Sequence, residues 1–491
     1  MATLLEKNPA PTMQLAPLAD KKNTKIVATV GPASRSYDTL LQLAKEGVNI
    51  FRLNFSHGDH AGHLEVIQHI ININEKYGWH IGILADLQGP KLRVGMMEND
   101  GLVVNEGDIV TFVNEDCLGT KDRIYMSYKD FAKDVEVGEK VLLDDGKLSF
   151  EVVETDKISV VKMRVVYGGI LKNKKGVNLP DTKTSLPCLT PKDLADLEFV
   201  LTQPVNWIAL SFVRRPEDIF DLRERINAVK HPALICAKIE KPEAVANLDA
   251  IIKASNAVMV ARGDLGVEFP IEKLPTVQKL IVEKCIQRAR PVIVATQMME
   301  SMIESPAPTR AEVLDVANAV MDGADAVMLS AETAAGKYPI ETVKAMTRII
   351  IEMEKMPARH ERPHLYSTSG VFINDVVCLN AARMSEELNA KAIIGFTMSG
   401  YTAFKVSSYR PQTTIYIFSG RHDMIGTLNL VRGVKCFYYD KYTSTDETIE
   451  DTIEILKAAG RITTGDVVIN TGSMPVEKKL RTNMLKVTVV D

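Results

Sequence analysis

Lys238, Glu240, Arg262 and Asp264 carry the densest chemical signal in the chain. They close two short apolar runs, with Ala-Lys-Ile-Glu at 237–240 and Ala-Arg-Gly-Asp-Leu-Gly-Val-Glu at 261–268. Both runs read as buried strands, which rarely end in charges of both signs. One carboxylate from each of two neighbouring parallel strands can face the other. Such a pair suits a hard divalent cation that keeps several waters, and the lysine beside it adds positive charge where an anion would sit. The competing reading is an ion pair that merely caps a strand end.

The elements needed to position these groups repeat along the chain. Short runs rich in Val and Ile recur at 25–30, 48–55, 80–86, 205–213, 233–239, 257–262, 291–296 and 324–330. Segments of helical spacing, such as 37–46, 60–77, 192–203 and 216–229, follow most of them. Eight strand–helix units predict a closed parallel (β/α)8 barrel, whose active groups sit at the C-terminal strand ends. Polar residues fall at those ends: Arg52, Asn54 and Ser56; Asp86 and Gln88; Ser211; Lys238 and Glu240; Arg262 and Asp264; Thr296 and Gln297; Ser330 and Glu332.

The count requires 88–186 to be an insertion after the third strand. Runs at 102–113, 141–154 and 158–168 alternate apolar with polar residues, and Asp-Asp-Gly at 144–146 is a hairpin signal. A small antiparallel β domain perched over the barrel mouth is expected, placed to exclude water. From about 360 a second grammar of strands (391–396, 413–418, 433–438, 466–470, 485–490) alternates with helices and predicts an open α/β domain. The expected division is an arm over 1–20, a barrel over 21–87 and 187–359, an inserted lid over 88–186 and a C-terminal domain over 360–491.

Composition narrows the function classes. The formal net charge is −4 over 491 residues, with no basic tail or stripe, so nucleic acid is not an expected partner. The six cysteines at 117, 188, 236, 285, 378 and 436 are scattered and form no CxxC pair, which fits a reducing compartment. The N-terminus has no charged-then-apolar signal pattern and no run is long enough to span a bilayer. A cytoplasmic protein without membrane contact is the expectation.

The mouth reads as a site for phosphates and an enolate. Arg-Leu-Asn-Phe-Ser-His-Gly at 52–58 and Asp-Leu-Gln-Gly-Pro-Lys-Leu-Arg at 86–93 bring Arg52, Lys91 and Arg93 towards it, and Lys-Asn-Lys-Lys at 172–175 lies on the return from the lid. Cations around a carboxylate pair suit a highly anionic substrate and phosphoryl transfer, which depends on positioning and charge neutralisation. No GxxxxGK[ST] loop is present. Gly-Asp-Leu-Gly at 263–266 could begin a short helix presenting backbone N–H groups to an anion, or simply form a tight turn. Met298, Met299 and Met302 read as core, and Ser330 and Glu332 as structural.

These segments, together with Lys-Lys-Gly-Val-Asn-Leu-Pro (174–180), Ala-Thr-Gln-Met-Met-Glu-Ser-Met (295–302), Pro-Thr-Arg-Ala-Glu-Val-Leu-Asp-Val-Ala-Asn-Ala (308–319) and Met-Leu-Ser-Ala-Glu-Thr-Ala-Ala-Gly-Lys-Tyr-Pro (328–339), resemble the pyruvate kinase family. The resemblance is collinear from about residue 22 onward. It implies a phosphotransferase that moves the phosphoryl group of phosphoenolpyruvate to ADP, giving ATP and pyruvate at the final step of glycolysis, in a homotetramer. By position, Glu240 and Asp264 would bind Mg2+, with Mn2+ as an alternative. Lys238 would stabilise charge on the transferring phosphoryl group and on the enolate oxygen, and Arg52 would hold that phosphoryl group. Thr296 would lie on the proton-delivery route, with Gly263 and Asp264 meeting the substrate carboxylate. Asn54, His57, Arg93 and Lys175 would face the nucleotide. Thr296 could equally serve a backbone carbonyl, and His57 could be a plain loop residue.

Two features depart from or extend that pattern. Where many relatives carry Asp-Thr-Lys-Gly-Pro-Glu and need K+, this chain has Asp86, Leu87, Gln88, Gly89, Pro90 and Lys91. A tethered ammonium at Lys91, held by Asp86 and Asn54, is expected to replace K+, so K+ is not expected to be required. Thr397, Ser399, Gly400 and Thr402 follow a strand and precede a helix, where they could cradle the phosphate of a phosphorylated metabolite effector. The loop 472–483 departs from the usual glycine-rich version. Two other classes compete: a carbon–carbon lyase using Lys238 as an imine, which borohydride trapping would reveal, and a non-catalytic scaffold, which the intact Lys238, Glu240, Asp264 and Thr296 set disfavours.

Overall fold

The computed structural model describes residues 22–356, 372–441, 444–474 and 481–491. The arm 1–20, the boundary near 359–360 and residues 475–480 of the 472–483 loop therefore lie outside the described residues.

Eight parallel strands close into a barrel: Lys25–Val30, Ile50–Asn54, Gly82–Asp86, Trp207–Leu210, Leu234–Ile239, Ala257–Ala261, Val292–Ala295 and Ala326–Leu329. Their side chains alternate between two cores, as the two-residue strand period dictates. Val27, Ile50, Leu84, Trp207, Cys236 and Met259 fill the barrel interior. Ile26, Phe51, Ile83, Ile208, Ile235 and Val258 instead face the surrounding helices. Those helices start and stop where local chemistry directs. Ser36 caps Tyr37–Glu46 and Asp59 caps His60–Tyr77, whose end is marked by Gly78 in the left-handed region.

The insertion between the third and fourth barrel strands is a β domain. Six of its strands form one sheet, antiparallel except for the parallel pair Ile109–Val113 and Ile124–Tyr125, and two more pair separately. A purely antiparallel lid was expected. The parallel pair arises because the connection from 113 to 124 returns on the same side instead of folding into a hairpin. Residues 92–95 then bridge the two free edges: Arg93 pairs with Gly176 and Val94 with Met126. The sheet thereby curls closed around its own core of Val110, Phe112, Phe150 and Val161. Asp144 and Asp145 adopt positive φ at the expected hairpin tip.

The C-terminal domain has a five-stranded sheet, four strands parallel and Met484–Val489 antiparallel at the edge. It covers the barrel end opposite the lid. Leu430 joins the barrel's interior core, and Trp207 Nε1 donates to Thr427 O at 3.1 Å. Arg410 holds Asp325 in a buried ion pair at 2.7 Å. No helix of the described residues is long and apolar enough to cross a membrane.

Candidate active site

The interior parity of the barrel builds the site. Two residues beyond the inward-facing Val27, Ile50, Leu84, Ala209 and Cys236 stand Thr29, Arg52, Asp86, Ser211 and Lys238. Glu240 continues the same parity. The barrel's last interior layer is therefore polar, and it lies at the C-terminal rim. Residue types and strand register alone converge these groups on one point.

Asp86 is the hub. Arg52 Nε donates to its Oδ2 at 2.6 Å, and Lys238 Nζ lies 3.3 Å from Oδ1. Arg52 is steadied further by Nη1 donating to Thr29 Oγ1 at 2.9 Å. Lys238 Nζ also donates to Ser211 Oγ at 2.6 Å and meets Glu240 Oε1 at 2.9 Å. The second Glu240 oxygen accepts the Phe212 N–H at 2.7 Å. Every member of this chain is buried. Burial resists ionisation of Asp86, but the charges of Lys238 and Arg52 outweigh it and hold the carboxyl below its usual range. Burial likewise resists protonation of Lys238, yet Asp86 and Glu240 raise its pKa above that of ordinary lysine. Lys238 is thus a fixed ammonium. Glu240 is pushed up, first by burial and then by Asp264, against the pull of Lys238.

That last effect places Asp264 close to Glu240 in electrostatic terms. Asp264 sits in the first turn of the helix Arg262–Glu268. Two carboxylates that repel each other form a donor set that a divalent cation relieves. Among the described residues no group of three or more His, Cys, Asp or Glu side chains could close around a metal. Two carboxylates leave most positions to water and substrate, as Mg2+ prefers.

Thr296 is brought against Gly263. Its Oγ1 accepts the Gly263 N–H at 2.8 Å and donates to Ala295 O at 2.6 Å. The residue has φ 66°, an outlier for a β-branched side chain, and Gln297 follows at 53°. Such strain, about 1–3 kcal/mol per residue, persists only where the surroundings impose it. Arg262 imposes it here: Nε donates to Ala295 O at 3.1 Å and Nη2 to Thr296 O at 2.6 Å, while Nη1 pairs with Asp315 at 2.7 Å. Arg262 therefore points away from the mouth and braces the Thr296 turn.

The remaining expected residues are distributed around the entrance. Asn54 Oδ1 caps its own turn by accepting the Ser56 N–H at 3.2 Å. His57 is exposed; partial burial, then the charges of Lys91, Arg93, Arg52 and Lys192, lower its pKa. These cations thus share one field over the mouth. Arg93 Nη1 donates to Lys174 O at 2.9 Å, and Lys175 pairs with Asp144 at 2.8 Å, both on the lid. One expectation needs correction. Asp86 is occupied by Arg52 and Lys238 and does not hold Lys91, which is exposed at the lid root. The reason is the parity of the strand: Asp86 points inward, and the chain then turns at Gly89 (φ 70°). A Cβ on Gly89 would stand 2.8 Å from the Phe212 ring, so the turn requires glycine, and Lys91 beyond it is exposed.

In the C-terminal domain, Thr397 Oγ1 accepts the Gly400 N–H at 2.9 Å, and Gly400 takes φ 82°. Thr402 Oγ1 lies 2.6 Å from Thr482 Oγ1. Two hydroxyls of the loop are thus internal struts, while Ser399 is exposed. The sequence places Ser211 among the polar strand ends but does not single out Thr29, Lys241 or Glu268; of these only Thr29 carried a signal, its inward parity.

A barrel with a buried cation–carboxylate chain at its C-terminal rim and a β lid above defines a lidded barrel enzyme for anionic substrates. Comparison with known proteins fixes the class further. The family profile "Pyruvate kinase, barrel domain" matches residues 21–343, and "Pyruvate kinase, alpha/beta domain" matches 375–488. A pyruvate kinase of Geobacillus stearothermophilus is 43% identical over 96% of this chain and 81% of its own length. One from Corynebacterium glutamicum is 41% identical over 95% and 97%. The crystal structure of a pyruvate kinase from Cryptosporidium parvum superposes with a TM-score of 0.89 at 34% identity, covering 97% of this chain and 98% of that one. The chain belongs to the pyruvate kinase family and is a phosphotransferase.

Proposed function

We propose that this chain transfers the phosphoryl group of phosphoenolpyruvate to ADP and protonates the resulting enolate, yielding ATP and pyruvate. The observation that carries the reading is the buried Arg52–Asp86–Lys238–Glu240 chain with Asp264 beside it. Asp86 anchors both Arg52 and Lys238, and the Lys238 ammonium is shared among Asp86, Ser211 and Glu240. Arg52 holds the phosphoryl group, and Lys238, held protonated, faces the charge that grows as the bond to the leaving oxygen stretches. The backbone at Gly263 and Asp264, in the first turn of the helix Arg262–Glu268, meets the substrate carboxylate, with the Gly263 N–H held by Thr296 Oγ1. The Thr296 hydroxyl, braced by Arg262, holds the proton route to the enolate carbon through a water. Arg93, Lys175, His57 and Asn54 line the nucleotide side, and the lid excludes bulk water. Glu240 and Asp264 hold Mg2+, or Mn2+, which supplies positive charge to the substrate oxygens when bound. A coupled assay for pyruvate and ATP tests the reading; purified protein that forms neither from phosphoenolpyruvate, ADP and Mg2+ refutes it.

A lyase using Lys238 as an imine is disfavoured, because an amine nucleophile needs a lowered pKa and this one is raised. The raised value follows from Asp86 and Glu240 overcoming burial.

Lys91 stands in for K+ as a tethered charge at the mouth, without the Asp86 contact. Replacing K+ by tetramethylammonium at constant ionic strength is expected to change kcat/KM less than about twofold, since screening is then unaltered. Lys91→Glu should lower it sharply in K+-free buffer. A wild-type protein inactive without K+ returns that role to a metal ion.

The loop at Thr397, Ser399, Gly400 and Thr402 binds the phosphate of a regulatory metabolite in a cytoplasmic homotetramer. Ser399→Ala should abolish an activation of about 5- to 150-fold and preserve basal turnover, because the loop acts only through a coupling free energy. Kinetics with sugar phosphates and AMP measure it. Absence of any wild-type activation removes the assignment.

A further inference from the structure

A second buried charge pair lies beneath the lid and takes no part in the chemistry above. Lys241 Nζ donates to Glu268 Oε1 at 2.7 Å and lies 2.6 Å from Oε2. Their side chains are only 10% and 2% exposed. Asn178 Nδ2 donates to the same Glu268 Oε1 at 3.0 Å. Oε2 has no well-directed donor of its own beyond the ion contact.

The three residues come from three different segments. Asn178 belongs to the lid strand Val177–Asn178, and Lys241 follows the barrel strand Leu234–Ile239. Glu268 ends the helix Arg262–Glu268. The lid hairpin reaches the same helix: a Cβ on Gly146 would lie 3.8 Å from Val267 Cγ1. A single carboxylate therefore joins the lid, the rim of one strand and the short helix beyond the next.

The placement relative to the site is informative. Lys241 directly follows Glu240. Glu268 lies one helical turn after Asp264, on the same helix. The ion pair thus ties together the two segments whose carboxylates repel each other. A buried ion pair gives little net stability over apolar packing, because desolvation offsets the attraction. Its directional geometry is what apolar packing would lack. Burial raises the Glu268 pKa, while Lys241 and Asn178 oppose it.

We propose that Glu268 is a positioning residue: with Lys241 it sets the spacing of Glu240 and Asp264, and through Asn178 it latches the lid over them. What is positioned rests on the metal and nucleotide roles proposed above; the latch itself does not.

Hydrogen exchange on the ligand-free, full-length protein tests the latch, read at the hairpin 144–147 and the strand 177–178. Asn178→Ala should speed exchange there by about 5- to 10-fold, the population equivalent of one hydrogen bond. It should also raise KM for ADP several-fold with kcat nearly unchanged. Glu268→Gln should do the same and additionally weaken Mn2+ binding, measured by electron paramagnetic resonance without substrate. The double variant should exchange no faster than Glu268→Gln alone, because both act through one contact. Wild-type exchange in both single variants overturns the latch, as do effects that add in the double variant. Unchanged Mn2+ binding in Glu268→Gln overturns the spacing role. Faster lid exchange in a protein that fails the pyruvate and ATP assay supports the latch and refutes the functional reading. Asn178→Ala changes a half-exposed lid side chain, so the test survives if Glu268→Gln does not fold.

Discussion

Lys238→Met is expected to slow phosphoryl transfer by at least about 10²- to 10³-fold, the scale for removing one donor aimed at transition-state charge. Proton exchange at the pyruvate methyl group should fall much less, because Thr296, Gly263 and their brace at Arg262 do not touch Lys238. Thr296→Val should show the reverse pattern, losing exchange more than transfer. The two halves can be separated because the structure gives them separate supports. Lys238 hangs on Asp86, Ser211 and Glu240, whereas Thr296 hangs on Gly263 and Ala295. One side effect must be controlled. Lys238 opposes protonation of the buried Glu240, so its loss raises that pKa further. Rates are therefore compared across a pH series at saturating Mg2+, because raising the pH favours the charged form of Glu240. Equal loss of transfer and exchange in Lys238→Met under these conditions would end the division of labour. Lys238→Arg offers a companion measurement, since it keeps the charge and changes the donor geometry.

Glu240→Gln and Asp264→Asn are each expected to raise the Mg2+ concentration for half-maximal activity by on the order of 10- to 100-fold, the range seen even for groups that only support a metal ligand. Calorimetric titration with Mn2+ should report the same loss in the absence of substrates. Folding should suffer much less. Removing one carboxylate relieves the repulsion between the pair, and Lys238 keeps its contact with Asp86 at 3.3 Å. In Asp264→Asn the Glu240 carboxyl loses the neighbour that helps to raise its pKa, so its pKa should drop. A nuclear magnetic resonance titration of Glu240 reads that sign directly. Unchanged Mg2+ curves in both variants would falsify the metal assignment.

Much of this architecture was legible in the residues. Each of the eight apolar runs corresponds to a barrel strand, because a strand buried on both faces is short and largely apolar. The helix at 37–46 is bounded by Ser36 and Gly47, and the one at 60–77 by Asp59 and Gly78; such caps act locally and can be read locally. Asp-Asp-Gly marked a hairpin because positive φ is costly for other residues. The lid's parallel strand pair was not legible, since pairing partners are set by how the 114–123 connection travels and not by alternation within each strand.

At the site, the sequence by itself determined which groups are available and, through the two-residue strand period, which way they point. Arg52, Asp86, Ser211 and Lys238 face inward because the residues two positions earlier are core. Tertiary structure alone decided how those charges share partners. It gave Asp86 to Arg52 and Lys238, where Lys91 had been expected, because barrel closure brings the strands bearing Arg52 and Lys238 to it, and Lys91 beyond the Gly89 turn is exposed. It turned Arg262 from a site residue into the brace of a strained threonine. It also placed Asn178 of the lid on Glu268, a contact between residues ninety positions apart. Local propensity fixes elements because its causes lie within a few residues. The charge state and partner of a buried ionisable group depend on every charge within several ångströms, and only the folded chain sets those distances.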